Sequence, residues 1–418
     1  MRLMDNDDNA ICADDRMPPR IDEATRTFIA AHQDEDVRDV ALHAKRDGDV
    51  DVPFALDQIA GRRTARLKLP RWAANDGIIY PPHVPMEQCS SQPAAEYKAQ
   101  LAAELIAGRP HPTTLVDLTG GFGVDFSFMA RAFDEAVYVE RQPRLCALAG
   151  HNLRELGVGN ARVVCDDGVA FLEAMPPATL IYVDPARRDA HGARTVAIAD
   201  CTPDVLALRD ALLGKAPFVV VKLSPMLDWR QTIDDFGGAV RRLDIVAVHN
   251  ECKEILVVLD RERTERPLIR CVDDGACVEF RVGNDERPTV APSSALPGMR
   301  FLYEPNVAIM KGGAFATLQR RWPAAQIGVN SHLFVADRWF DDFPGRAFVI
   351  DGIGTMNKKD VRRLLDGVRR ANVAVRNFPL MAAQLAKKLK LADGGDVYVF
   401  ATTDDAGRHI LIRAHKRN

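Results

Sequence analysis

Between residues 114 and 261 the chain repeats one pattern: a short apolar run, then a segment with helical spacing. The runs are TLVDLT (114–119), AVYVE (136–140), ARVVC (161–165), LIYVD (180–184) and PFVVVKLS (217–224). Strands that read as continuous apolar stretches between helices predict a parallel sheet covered on both faces. Two further runs, RLDIVAVHN (242–250) and CKEILVVLD (252–260), are nearly contiguous. Only a tight hairpin can join them, so the last strand must be antiparallel to its neighbour. Five parallel strands closed by a hairpin leave few α/β architectures open.

The regions on either side follow other rules. At 418 residues the chain exceeds one core, and two to four domains are expected. An Asp-rich start (1–19) is expected to be disordered. Residues 20–95 form a helical region, with two short helices over 21–46 and more helix over 51–72. Arg62, Arg63, Arg66 and Lys68 there are read first as a solvated helix face. The α/β pattern occupies 96–262. Residues 263–345 are mixed, with CVEFRV, the helical FATLQRRW and a strand at HLFVADRWF. From 346 to 418 a β-α-β-α-β-β order, with helices over DVRRLLDGVRR and MAAQLAKKLKL, predicts a small two-layer domain.

Charge separates these parts. The net charge of −3 carries no whole-chain nucleic-acid signature, but residues 346–418 hold 15 Lys/Arg against 7 Asp/Glu. That surplus of 8 leaves −11 for the remainder and marks a local basic module. The eight cysteines are scattered with no C-x-x-C pair, so neither a zinc site nor a disulfide framework is expected. The start lacks a signal-peptide core, and no apolar run approaches the roughly 18 residues of a membrane span. A reduced, cytoplasmic protein with no metal and no membrane attachment is the expectation.

The strongest motif is VDLTGGFGVDF (116–126), a strand end, a glycine turn and a helix start. Glycines let the backbone turn sharply and approach a ligand closely. A dinucleotide fold asks for G-x-G-x-x-G, but the third position here is Phe126. The spacing Asp117, Gly121, Gly123, with Thr119 in the turn, suits S-adenosylmethionine, whose ammonium an acid near the turn can hold. Glu140 closes the second strand, where an acid accepts both ribose hydroxyls, and Asp166 and Asp167 close the third, near the adenine amino group. Asp184 closes the fourth. Helix caps would explain any one of these acids, but they explain the set of four strand ends poorly.

With these residues the chain resembles the class I S-adenosylmethionine-dependent methyltransferases, and more narrowly the bacterial THUMP-like-domain methyltransferases. The narrower resemblance rests on EQCSSQPAAEYKA (87–99), DPARRD (184–189), KLSPMLD (222–228), YEPNVAIMKGGAF (303–315) and NVAVRNFPLMAAQLAKKLKLADGGDVYVFATT (372–403). It covers nearly all of the chain beyond the Asp-rich start. It implies an N-terminal helical region, a Rossmann-like methyltransferase domain, a ferredoxin-like α+β domain and a terminal THUMP-like α+β domain. THUMP domains proper bind RNA, commonly tRNA. In related folds the segment at 87–99 lies over the cofactor, which makes Gln88 and Ser90 candidate contacts; capping of a helix by Ser90 or Ser91 is equally open.

The elbow DPARRD departs from the Asn/Asp-Pro-Pro-Tyr of amino-group methylases. Asp184 and Pro185 are present, but Arg187 stands where an aromatic would stack on a flipped base. A guanidinium can stack on a base or meet phosphate, as can Arg188, or bridge to a neighbouring acid. Uracil C5 methylases add a cysteine to the ring, usually from the end of the fifth strand. That strand ends here in Lys222-Leu-Ser224-Pro225, with no cysteine. The reading is direct methyl transfer to a nitrogen or oxygen of a structured RNA, tRNA or rRNA, with Asp184 orienting the acceptor. Lys222, Ser224, Arg376, Lys387 and Lys388 are candidate substrate contacts. An RNA-binding factor with a non-catalytic adenosyl pocket, or a small-molecule or protein methylase, remains open.

Overall fold

The computed structural model describes residues 21–44, 48–187, 197–262, 264–283 and 286–417, with only the backbone of His83, Val84 and Arg187. The Asp-rich start expected to be disordered lies outside the described residues, as does Arg188. The chain divides into two compact units, one running to Arg241 with Ile255–Thr264, the other comprising Arg242–Glu254 and the chain from Glu265 onward.

The first unit opens with helices α1 (Glu23–His32), α2 (Val37–His43), α3 (Val52–Lys68), α4 (Pro70–Ala73), α5 (His83–Gln88) and α6 (Gln92–Ile106). Asp22, Asp36 and Asp51 start the first three by accepting backbone N–H bonds in the first turn. Ser91 occupies the cap position of α6, but its hydroxyl makes no cap bond, and Ser90 points elsewhere. The capping role expected of these serines is thus not made. Packed together, Ile29, Val40, Ala55 and Ile59 form the core of the first three helices.

The α/β part follows: β1 (Thr114–Asp117), α7 (Val124–Met129), β2 (Glu135–Glu140), α8 (Pro143–Glu155), β3 (Ala161–Cys165), α9 (Gly168–Ala174) and β4 (Leu180–Val183). A two-stranded ribbon, β5 (Ala186–Arg187) with β6 (Cys201–Thr202), precedes α10 (Val205–Lys215), β7 (Phe218–Leu223) and α11 (Trp229–Asp235). The chain continues into β8 (Val240–Val248) and β9 (Glu251–Asp260), reversing at His249 and Asn250 with φ of 53° and 59°. Two successive left-handed residues make the tight turn that the contiguous strands demanded. Within the first unit the sheet order is β9-β7-β4-β1-β2-β3. Strands β7, β4, β1, β2 and β3 are parallel, and β9 is antiparallel to β7. Every side chain of β4 is buried, because helices cover both faces. Chain direction across the sheet switches between β1 and β4, where open α/β sheets place their ligands.

In the second unit β10 (Leu268–Asp273) runs parallel to β8 and antiparallel to β11 (Ala276–Arg281). A seven-stranded sheet follows, built from β12 (Phe301–Pro305), β13 (Ala325–Gln326), β14 (Phe334–Ala336), β15 (Gly345–Thr355), β16 (Asn372–Val375), β17 (Val397–Thr403) and β18 (His409–His415). Its order is β13-β14-β12-β15-β18-β17-β16. Helices α12 (Val307–Gly312), α13 (Phe315–Arg321), α14 (Lys358–Leu364) and α15 (Ala382–Leu389) lie in the connections. The long β15 pairs with β12 through its first half and with β18 through its second, with an irregularity at Ile350/Gly352.

Two expected elements come out shorter. The strand over HLFVADRWF is confined to Phe334–Ala336, because Trp339 and Phe340 turn aside to pack on Tyr303, whose hydroxyl accepts from the Phe340 amide. The helix over DVRRLLDGVRR ends at Leu364, and Gly367 takes φ of 72° in the turn that follows. Arg362 and Arg363 are therefore on a helix while Arg369 and Arg370 are not.

Candidate functional site

The glycine turn is shaped by strand β2. A Cβ on Gly120 would lie 2.2 Å from the Tyr138 ring, so only glycine fits where the turn crosses that side chain. Gly123, at φ of 86°, caps α7, and Gly121 has φ of 55°. The Gly121 amide donates to Glu140 Oε2 at 3.0 Å, and the Tyr138 hydroxyl donates to the Gly121 carbonyl. The other oxygen of Glu140 accepts from the Gln142 amide.

Asp117, at the end of β1, is buried and accepts from the Thr119 amide at 2.9 Å. Burial pushes its carboxyl well above the usual carboxylate range, and the nearby charges of Asp125, Asp184 and Glu140 push the same way against the Thr119 bond. The Thr119 hydroxyl accepts from the Asp184 amide at 2.6 Å. One threonine thus ties the end of β1 to the end of β4.

Asp167 is the N-cap of α9, accepting from the Val169 and Ala170 amides, while Asp166 is exposed and accepts from the Asp167 amide. Gln88 is exposed at the end of α5.

Behind the elbow lies a network that sequence reading only half foresaw. Lys222 Nζ donates to Asp184 Oδ2 at 2.6 Å and stands 3.8 Å from Asp125 Oδ2. Asp125, in the first turn of α7, accepts from Ser90 Oγ and from the Tyr182 hydroxyl, both at 2.9 Å. Lys98 Nζ lies 3.3 Å from Asp125 Oδ1 and donates to Ser90 Oγ at 3.0 Å. Burial alone would raise the Asp125 carboxyl, but Lys98 and Lys222, with the Ser90 and Tyr182 hydroxyls, outweigh it and hold it below the usual range. Ser90 is thus engaged with Asp125 and Lys98.

Lys98, Asp125 and Tyr182 were not singled out from the sequence. A signal existed for Lys98: Ala94, Ala95, Leu101 and Ala102 form a buried stripe on α6, and the lysine occupies a position within it.

Ser224 accepts from the Met226 amide in the turn after β7. The Cys89 thiol is raised by burial and donates to the Met86 carbonyl, so it is not an activated nucleophile. The Arg187 side chain and all of Arg188 lie outside the described residues, and the Arg187 backbone pairs with Cys201 in the ribbon.

In the second unit Arg376 donates to the buried Glu304 at 2.7 Å, and Arg346 pairs with the same carboxylate. Arg363 and Arg370 bond to the backbone carbonyls of Ile353 and Asp393. Lys387 and Lys388 are exposed on α15. The basic cluster therefore divides into braces and free surface.

The donor set at the strand ends suits an adenosyl cofactor. Its carboxylates could meet an ammonium at Asp117, a diol at Glu140 and an amino group at Asp166. Among the described residues no group of three His, Cys, Asp or Glu could hold a metal, and no helix is long and apolar enough to cross a membrane.

Residues 345–416 match the family model described as THUMP domain-like, and residues 301–344 match that of a ferredoxin-like domain. Together they lie on the one seven-stranded sheet. The crystal structure of a "putative methyltransferase" from Porphyromonas gingivalis matches with 29% identity and a TM-score of 0.80, over 94% of this chain and 98% of that one. A "putative RNA methyltransferase" from Pyrococcus horikoshii matches with 17% identity and a TM-score of 0.33, over 47% of this chain and 98% of that one. A "putative methyltransferase" from Streptococcus mutans in complex with SAH has 12% identity and a TM-score of 0.30, over 38% and 96%. No curated protein matches by sequence. The chain has the fold of a class I methyltransferase, with ferredoxin-like and THUMP-like domains after it.

Proposed function

We propose that the chain transfers a methyl group from S-adenosylmethionine to a structured RNA, tRNA or rRNA, directly and without a cysteine nucleophile. The carrying observation is the Thr119 bridge: its hydroxyl accepts from the Asp184 amide while its own amide donates to Asp117. The acid that faces an acceptor and the acid that faces the cofactor amine are thereby held in one rigid piece. When bound, the cofactor supplies an electrophilic methyl group. Asp117 would hold its ammonium, Glu140 its ribose and Asp166 its adenine amino group, around the Gly120–Gly123 turn. Asp184 orients the acceptor and takes its proton, beside Pro185 and Arg187 of the elbow, and Lys222 and Ser224 border the substrate side.

RNA as the substrate is supported by the THUMP-like match at 345–416 and by the exposed Lys387 and Lys388 there, which suit phosphate contacts. Transfer of tritiated methyl to total RNA tests this reading. RNA from a strain lacking the gene should accept label above its parent, and Asp184→Ala should abolish the difference. Zero incorporation into both RNAs by the wild-type enzyme would favour an RNA-binding factor with a non-catalytic pocket.

A further inference from the structure

The charges behind the elbow alternate along a line: Lys98, Asp125, Lys222, Asp184. Their side-chain exposure rises in the same order, 0%, 10%, 14% and 37%. The inner three are fixed to one another and to the Ser90 and Tyr182 hydroxyls, so the line ends at the surface as a carboxylate with an ammonium 2.6 Å from it. Methyl acceptors differ in the charge they develop. An exocyclic amine gains positive charge as its nitrogen attacks, and the Lys222 ammonium beside it opposes that. A ring nitrogen next to a carbonyl must first give up its N–H proton, and negative charge then gathers on the carbonyl oxygen. A carboxylate to take the proton and a fixed cation to face the oxygen are the two groups such an acceptor needs.

We propose that the acceptor is the lactam ring nitrogen of a guanine or uracil base, N1 or N3, with Asp184 as base and Lys222 as the group that stabilises the oxyanion. This rests on the RNA reading above. The ring N–H proton passes to the Asp184 carboxylate. The N–C bond forms as the C–S bond of the sulfonium donor breaks, its electron pair returning to sulfur. Until transfer is complete, the charge on the base carbonyl oxygen faces the Lys222 ammonium. Asp125 and Lys98 are positioning residues: Asp125 holds Lys222 from behind, and Lys98 holds Asp125 in turn.

The test is to digest total RNA from the strain lacking the gene, labelled by the wild-type enzyme, to nucleosides and separate them against standards. Label in N1-methylguanosine or N3-methyluridine supports the proposal. Label in an exocyclic N-methyl nucleoside such as N6-methyladenosine, N4-methylcytidine or N2-methylguanosine, or in a 2′-O-methyl nucleoside, overturns it while leaving RNA methylation standing. No label in any RNA overturns the RNA reading instead. On the labelled nucleoside, Lys222→Met should lower transfer about 10²–10³-fold, the loss typical when an oxyanion donor is removed. Lys222→Arg should restore part of it. Binding of S-adenosylhomocysteine, measured by calorimetry, should persist in Lys222→Met, which separates a lost oxyanion contact from a lost fold. Unchanged transfer by Lys222→Met would also overturn the role given to this residue.

Discussion

Replacing Lys98 by methionine keeps the length of the side chain and removes its charge. In the native protein the ammonium has no solvent exposure and lies 3.3 Å from an Asp125 carboxylate that is itself nearly enclosed. Removing one partner of a buried ion pair costs about 3–5 kcal/mol, because the remaining charge stays desolvated. Lys222 on the far side, at 3.8 Å, offsets part of this. For folding units of 150–250 residues each kcal/mol moves the melting temperature by roughly 2–4 °C, so a fall on the order of 10 °C is expected. The pH dependence is more diagnostic than the size. In the native protein the folded pKa of Asp125 lies below its unfolded value of about 4, so its contribution is present above that pH and lost as pH falls through the folded pKa. Without Lys98, burial dominates and the folded pKa rises above the unfolded one. The variant's stability then falls as pH rises above about 4, and its deficit against wild type widens between pH 5 and pH 8. Urea unfolding followed by circular dichroism at both pH values reads the deficit. Equal deficits, or a loss below about 1 kcal/mol, would refute the reasoning. In Lys98→Met/Asp125→Asn the widening should vanish.

Three further outcomes are expected. Burial raises the pKa of Asp117, so binding a cationic amine should expel a proton wherever the free carboxyl carries one, and affinity should rise with pH up to the ligand-free pKa. Calorimetry with S-adenosylhomocysteine near pH 6 in two buffers of different ionisation enthalpy should give different heats, and Asp117→Asn should make them equal; equal heats for wild type would sink the idea. Glu304→Gln strips the charge from a carboxylate with 4% side-chain exposure that two arginines share. Because those arginines are partly exposed, the cost should be about 1–3 kcal/mol in urea unfolding, with S-adenosylhomocysteine binding unchanged. Cys89→Ser should leave methyl transfer to RNA within about twofold, since desolvation raises the thiol and disfavours its thiolate; a loss of more than tenfold would revive covalent catalysis.

Periodicity carried the fold because strand and helix patterns are local. The run at 161–165 lies where the apolar pattern put it, the one expected over 180–184 ends one residue earlier at Val183, and two adjacent strands with no room between them left only a hairpin. Where neighbours decide, the sequence was less informative. Nothing local says that Trp339 and Phe340 leave the sheet for Tyr303, or that Arg376 turns inward to Glu304. The site divides in the same way. Asp117, Glu140 and Asp184 come to one edge because parallel strands end on the same side of the sheet, whichever side chains surround them. Asp125 reads as an ordinary first-turn acid, and Tyr182 as one more buried strand residue, until Lys98 on α6 and Ser90 in the link before it are brought to the same point. Lys98 alone could have been noticed, as a charge within an apolar stripe.

The glycine turn has little stiffness of its own, yet both polar groups of Gly121 are held by the neighbouring strand, its amide by Glu140 and its carbonyl by Tyr138. These two side chains are alternate residues of β2 and so share one face of it. The turn therefore borrows its shape from the pairing of β1 with β2, and a slip of one residue there would offer it Val137 and Val139 in place of Tyr138 and Glu140. Folding of the sheet and shaping of the glycine turn are one event, and the turn should stand finished before any ligand arrives.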